Sequence, residues 1–147
     1  MFLRICIFSC IILGALSIPV VWKDCGSKTG GIKSVDVTPC GAQPCVLKHN
    51  SNVTMKVQFV ANAMSKTLTS VVHGIIAGVP VPFPIPNPDG CKSNVTCPVK
   101  SGDMNTYSNV LFVNPSYPKL KLVVKWELKD DSTNDMFCFV IPVSIGD

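Results

Sequence analysis

The sequence predicts an all-β chain, an immunoglobulin-like antiparallel β-sandwich of about seven strands. Three observations predict it. Apolar residues recur at every second position in several separate runs, turn-forming clusters separate those runs, and prolines stand at 80, 82, 84, 86 and 88 within GVPVPFPIPNPDG. Each proline removes a backbone donor and fixes φ at about −65°, so this segment cannot be a helix and must run extended.

Taken from the first residue, Arg4 precedes an apolar run from Ile5 to Leu13, which leads into Ala15-Leu16-Ser17. That order of charge, short apolar run and small residues reads as a secretory signal peptide over residues 1–17, leaving a single domain at 18–147. A membrane anchor is the alternative, but the run is too short to span a bilayer, and no later stretch is long enough.

Val35 with Val37 begins the strand pattern. Val53, Met55, Val57 and Phe59 alternate with Thr54, Lys56 and Gln58, as expected of a half-buried strand. Leu68 to Ala77 is more continuously apolar and β-branched, which suits a central strand. In the proline segment the missing donors all fall along one edge, while Val79, Val81, Phe83 and Ile85 keep theirs on the other and share one apolar face. The expected result is a sheet margin that resists pairing, and a gap beside it that admits an apolar ligand. Leu120, Leu122, Val124, Trp126 and Leu128 make the next strand, and Phe137, Phe139, Ile141, Val143 and Ile145 the last. The turns fall at Thr29 to Gly31, Pro39 to Pro44, Asn87 to Gly90, Ser101 to Asp103, Asn114-Pro115 and Asp130 to Asp135.

Of the eight cysteines, Cys6 and Cys10 leave with the signal peptide. The remainder, Cys25, Cys40, Cys45, Cys91, Cys97 and Cys138, form an even set in a secreted chain, which points to disulfides. Sequence leaves the connectivity open. Loop length favours Cys40 with Cys45 and Cys91 with Cys97, each in a tight loop flanked by proline or glycine, and so Cys25 with Cys138. The only histidines, His49 and His73, lack zinc-ligand spacing from the cysteines, and no metal site is expected. Asn52-Val53-Thr54 and Asn94-Val95-Thr96 are glycosylation sequons.

The net charge of +4, from 13 basic and 9 acidic residues, is mild. The lysines are scattered without aromatic interleaving, which argues against nucleic-acid binding. Lys119, Lys121, Lys125 and Lys129 form a local basic strip, a candidate contact for anionic lipid membranes, although such a strip more often marks a solvated strand face. No catalytic constellation can be assembled. The only glutamate, Glu127, reads as lying on an exposed strand face, and His73 reads as a satisfied core or edge histidine. Phosphate loops, nucleophile elbows and carboxylate pairs are absent from the sequence. Phe83, Phe112, Tyr117, Trp126, Phe137 and Phe139 are expected in or near the sandwich interior, where inward aromatics would by themselves simply fill a core.

The strings Lys23-Asp24-Cys25-Gly26-Ser27, Gln43-Pro44-Cys45, VVHGI at 71–75, GVPVPFPIP at 78–86, PDGCKS at 88–93 and KLVVKW at 121–126 resemble the sterol carriers of the lipid-recognition (ML) domain family. The resemblance runs from about Trp22 to Val143 and is densest in the proline string. It implies a sandwich whose sheets part to hold one cholesterol or related sterol in an apolar pocket, no cofactor, and the pairs Cys25–Cys138, Cys40–Cys45 and Cys91–Cys97. By position it implies an entrance at Phe83, Val113, Tyr117 and Pro118, a lining from Val37, Leu47, Val72, Leu122, Val124 and Trp126, and an apolar contact surface at Val79, Pro80 and Val81. That surface would meet the N-terminal luminal domain of a lysosomal sterol-transporter membrane protein. A monomer in the secreted and lysosomal compartments, reached through N-glycans, is implied as well. Ala77, Phe112 and Phe139 replace a methionine, a proline and a tryptophan of relatives, and Lys56 a glycosylated asparagine. Two other readings stand beside the sterol carrier: a carrier of another lipid on the same fold, and an immunoglobulin-like interaction module with a solid core.

Overall fold

The computed structural model describes residues 20–147, so the signal-peptide reading of residues 1–17 lies outside the described residues. Among the described residues nine strands form: β1 (Lys23–Asp24), β2 (Gly30–Thr38), β3 (Cys45–Lys48), β4 (Asn52–Ala61), β5 (Thr69–Ile76), β6 (Val79–Pro82), β7 (Met104–Phe112), β8 (Leu120–Lys129) and β9 (Asp135–Gly146). A single 3₁₀ turn at Gly90–Lys92 follows the proline segment. Among the described residues, no helix is long and apolar enough to cross a membrane.

The strands make two sheets. A three-stranded sheet runs β2-β4-β7, and a six-stranded sheet runs β1-β9-β8-β5-β6 with β3 also on β9. Every pairing is antiparallel except β3 with β9. The count exceeds the seven expected because β1 and β3 are too short for alternation to show.

Strand alternation sends one face of each sheet inward. Val53, Met55, Val57 and Phe59 of β4 face Val124, Trp126 and Leu128 of β8 and Phe137, Phe139 and Ile141 of β9 across the interior, and all are buried. The same alternation corrects the placement of Phe112. Leu111 and Val113 point inward, so Phe112 points out and is 38% exposed. Glu127 is also corrected: it faces outward, yet it is buried, because Lys129 and Asp135 close over it.

Aromatic packing is concentrated at one end of the sandwich. Phe59 meets Phe137 edge-on at 5.3 Å, Tyr107 meets Phe137 at 5.4 Å, and Trp126 stacks on Phe139 at 6.4 Å. A buried polar knot accompanies them. The Tyr107 hydroxyl accepts from Trp126 Nε1 (3.0 Å) and Asn109 Nδ2 (2.9 Å) and lies 2.6 Å from Ser70 Oγ. Among the described residues three disulfides join Cys25 to Cys138, Cys40 to Cys45 and Cys91 to Cys97.

The proline segment forms the free edge of the larger sheet. β6 pairs only with β5, and beyond it the Phe83 N–H donates to the Val72 carbonyl at 2.9 Å. Donors on the odd residues face β5, and the prolines line the outer edge, as their chemistry demands. The apolar face expected to point inward does so at Phe83, which is buried, and at Ile85, which packs half-buried against the core. Val79 and Val81 stay 60% and 43% exposed, because they sit at the overhanging margin of the wider sheet.

Candidate functional site

At the end opposite the aromatic cluster, an open cavity of about 300 Å³ enters between β5, β6, β8, β9 and the loop joining β7 to β8. Its walls are almost wholly carbon. β5 contributes Gly74 and Ile76, the proline segment Val81 and Phe83, the loop Tyr117 and Pro118, β8 Leu120 and Leu122, and β9 Ile145. Phe83 and Tyr117 frame the opening with ring centroids 5.0 Å apart. Gly74 makes the room: a Cβ built there would lie 2.9 Å from Leu122 Cδ1 and 3.9 Å from Phe83 Cδ2.

Of the residues expected at the site, Phe83, Tyr117, Pro118 and Leu122 line this cavity. Val37, Leu47, Val72, Val113, Val124 and Trp126 do not. They are buried in the packed interior behind it, with Val113 in the core rather than at the entrance. The cavity therefore stands at the small end of the range for ligand pockets, about 300–1,000 Å³, and a larger apolar guest would reach the deeper residues only by parting the sheets. Gly74, Ile76, Leu120 and Ile145 were missed. Ile145 and Leu120 occupy inward positions of their strands, so alternation was the available signal, whereas nothing in the sequence tells that Gly74 faces a void.

Val79, Pro80 and Val81 lie on the rim, exposed beside Ile76, and make an apolar patch contiguous with the opening. Asn52 and Asn94 are both exposed, and Asn94 sits within the small Cys91–Cys97 loop. The lysine strip is partly engaged by acids: Lys119 pairs with Asp147, while Lys125 and Lys129 approach Glu127 at 3.8 and 3.1 Å.

The carboxylate–lysine cluster of the larger sheet lies outside the cavity. Asp135, pushed up to about 6 by burial and by the neighbouring Glu127 carboxyl, shares Lys129 with it. Burial works against Glu127 as well, but hydrogen bonds from Asp135 and Lys129 outweigh it and hold Glu127 below its ordinary value. Among the described residues, Glu127, Asp135 and Cys138 are the one cluster with ligand atoms close enough for a metal, within 4.8 Å. Cys138 is oxidised in a disulfide and Lys129 occupies the carboxylates, so this is an ion-pair network rather than a metal centre. His73 is not the satisfied histidine expected. Its Nδ1 is buried without a hydrogen-bond partner, between Pro82 of β6 and Lys125 of β8 in register. It lies on the sheet's outer face, away from the cavity.

Comparison with known proteins adds a family match. A family model described as the ML domain matches residues 19–145. The chain is 50% identical over 131 residues to "NPC intracellular cholesterol transporter 2" of Sus scrofa, covering 89% of this chain and 88% of that protein. Its structure is similar to that of a Niemann-Pick type C2 protein from Japanese carpenter ant, with a TM-score of 0.80 and 28% identity over 85% of this chain and 98% of that one. Chicken MD-1, solved in complex with lipid IVa, shares the fold alone, at a TM-score of 0.56 and 15% identity over 84% of this chain and 86% of that one.

Proposed function

The chain belongs to the ML domain family, and from that membership together with its apolar mouth we propose that it is a sterol carrier. It binds one cholesterol or closely related sterol between its sheets and passes it between membranes and a membrane protein. In this reading the chemistry is transfer without bond making, through a cavity that the described residues wall almost wholly with carbon. The observation that carries the reading is the carbon-walled cavity bounded by Gly74, Phe83, Tyr117 and Leu122 at the free edge of the sheet.

Burying an apolar molecule of sterol size at about 25 cal/mol per Å² supplies several kcal/mol, enough for tight binding without a strong polar contact. Part of that gain is spent in separating interior residues such as Val37, Val72 and Val124, which are buried in the core behind the mouth. The rigid rings enter past Phe83 and Tyr117, and the apolar patch of Ile76, Val79 and Val81 faces whatever supplies or accepts the sterol. In this reading that acceptor is the luminal domain of a lysosomal sterol transporter, and delivery to the lysosome uses glycans on Asn52 or Asn94.

The test is a titration of the mature protein with a fluorescent sterol, competed by cholesterol, for the wild type and Gly74→Ala. Saturable one-to-one binding, weakened in the variant while its unfolding midpoint stays close to wild type, is the expected result. The added methyl crowds only the far end of the Leu122 side chain and meets Phe83 at ordinary contact distance, so the fold tolerates it while the cavity shrinks. No displacement by cholesterol with retention of another lipid points to a carrier of that lipid. No ligand of any kind, with Gly74→Ala silent, leaves an interaction module.

A further inference from the structure

The mouth loop, residues 114–119, carries Tyr117 and Pro118; Tyr117 packs against Phe83, but the loop has few polar ties to the rest of the molecule. The Tyr117 N–H donates to the Asn114 carbonyl at 3.0 Å, and the Ser116 N–H and hydroxyl donate to Asn114 Oδ1 at 2.9 and 2.8 Å, all within the loop. Among the described residues, its polar ties to other segments run through one cluster. His49 Nε2 lies 2.7 Å from the Tyr117 carbonyl oxygen, His49 Nδ1 lies 2.9 Å from Asp147 Oδ1, and Asp147 also pairs with Lys119.

The histidine itself stands on a fixed post. It occupies the turn between β3 and β4, where the His49 N–H donates to the Gly146 carbonyl of the larger sheet at 2.7 Å. The next residue, Asn50, donates its N–H to Val113, which follows β7 of the smaller sheet, at 2.7 Å. Both ring nitrogens face oxygens that only accept, a carboxylate and a peptide carbonyl. A neutral imidazole carries one N–H and makes one of these bonds; only the imidazolium donates to both.

We propose that His49 is a positioning residue of the cavity mouth, whose imidazolium form clamps the loop bearing Tyr117 and Pro118 to Asp147 and whose neutral form releases it. The inference rests on the carrier reading for its meaning, since the clamped loop forms one wall of the opening. The charged groups facing the ring are Asp147, just past β9, and Lys119 from the loop itself. The first favours the proton and the second opposes it. The Asp147 carboxylate and then the Tyr117 carbonyl raise His49 above the usual histidine range, with partial desolvation and Lys119 working the other way. A raised value means that the clamp is complete at acidic pH and is lost as pH rises through the folded-state value. The mouth is thus held in the acid and loosened toward neutrality.

Two measurements test this separately from sterol binding itself. In the ligand-free protein, nitrogen NMR of the His49 ring should show both nitrogens protonated at acidic pH. The amides of residues 114–119 should then titrate with the same midpoint, and Asp147→Asn should lower that midpoint. In protein loaded with dehydroergosterol, release should quicken by about 2- to 10-fold between about pH 5 and 7.5, the change expected from losing one hydrogen bond in a two-state loop. In His49→Gln release should be fast and level across that range. Loop amides that ignore the His49 titration, or a release profile unchanged in His49→Gln, would overturn the clamp. Failure to take up any sterol would count against the carrier reading, and the amide titration would still decide whether the clamp exists.

Discussion

Asp135 and Glu127 place two carboxyl groups beside one ammonium on the outer face of the larger sheet, at the paired ends of β8 and β9. With Asp135 raised from 3.8 to about 6, the folded protein holds this proton more firmly than the unfolded chain does. Stability therefore falls as pH rises from about 4 to 6 through this group, while Glu127, held low, contributes the opposite slope nearer its own range. Asp135→Asn removes the falling part. Urea unfolding across pH 4 to 7 should show the variant gaining on wild type toward neutral pH; a difference independent of pH would mean that Asp135 ionises freely. None of this was legible in the sequence, where Glu127 read as an isolated exposed acid. Its burial depends on a cross-strand partner: the β8–β9 register and the bulge beside Leu128 bring Lys129 opposite Asp135. By contrast, the inward residues of β4, β8 and β9 were legible from alternation alone, because one buried face imposes a period of two on any strand.

The β5–β6 hairpin is the element on which the mouth depends, since β6 leads directly into Phe83. Ile76 pairs with Val79, leaving Ala77 and Gly78 as a two-residue turn with φ of 50° and 80°. Both central residues at positive φ define the type I′ geometry that matches strand twist. Gly78 adopts it freely, whereas alanine at the first position is strained by its Cβ. Ala77→Asn should stabilise the protein by about 0.5–1 kcal/mol, by analogy with other substitutions that match a residue to its backbone conformation. Thermal or urea unfolding measures this, and destabilisation would show that the turn adopts another geometry. The free edge itself was plain in the sequence because proline acts locally, through its own missing donor. The outward exposure of Val79 and Val81 was not, because it depends on how far the opposite sheet extends, and that is settled by strands remote in the chain.

Across the whole molecule, packing grades from one end to the other. Aromatic rings, the Tyr107 hydrogen-bond knot and the Cys25–Cys138 bridge, which joins residues 113 apart, gather at one end. Aliphatic residues, a glycine, the single Phe83–Tyr117 ring pair and a loop with few polar ties make up the other. Interlocked rings resist separation, whereas aliphatic contacts around Leu122 and Ile145 are individually weak. If the protein carries a sterol as proposed, its sheets are expected to part at the mouth, with the pivot at the aromatic end. The two ends should accordingly separate stability from binding. Phe137→Ala, with its side chain fully buried in the ring cluster, should cost about 3–5 kcal/mol in urea unfolding and leave the sterol affinity of the folded protein unchanged. Ile145→Ala, on the cavity wall, should cost no more than the low end of about 2–5 kcal/mol, yet alter sterol affinity, because its neighbours already border open space. Equal stability losses at the two positions, or sterol binding that tracks Phe137 rather than Ile145, would mean that the sheets part at the aromatic end instead.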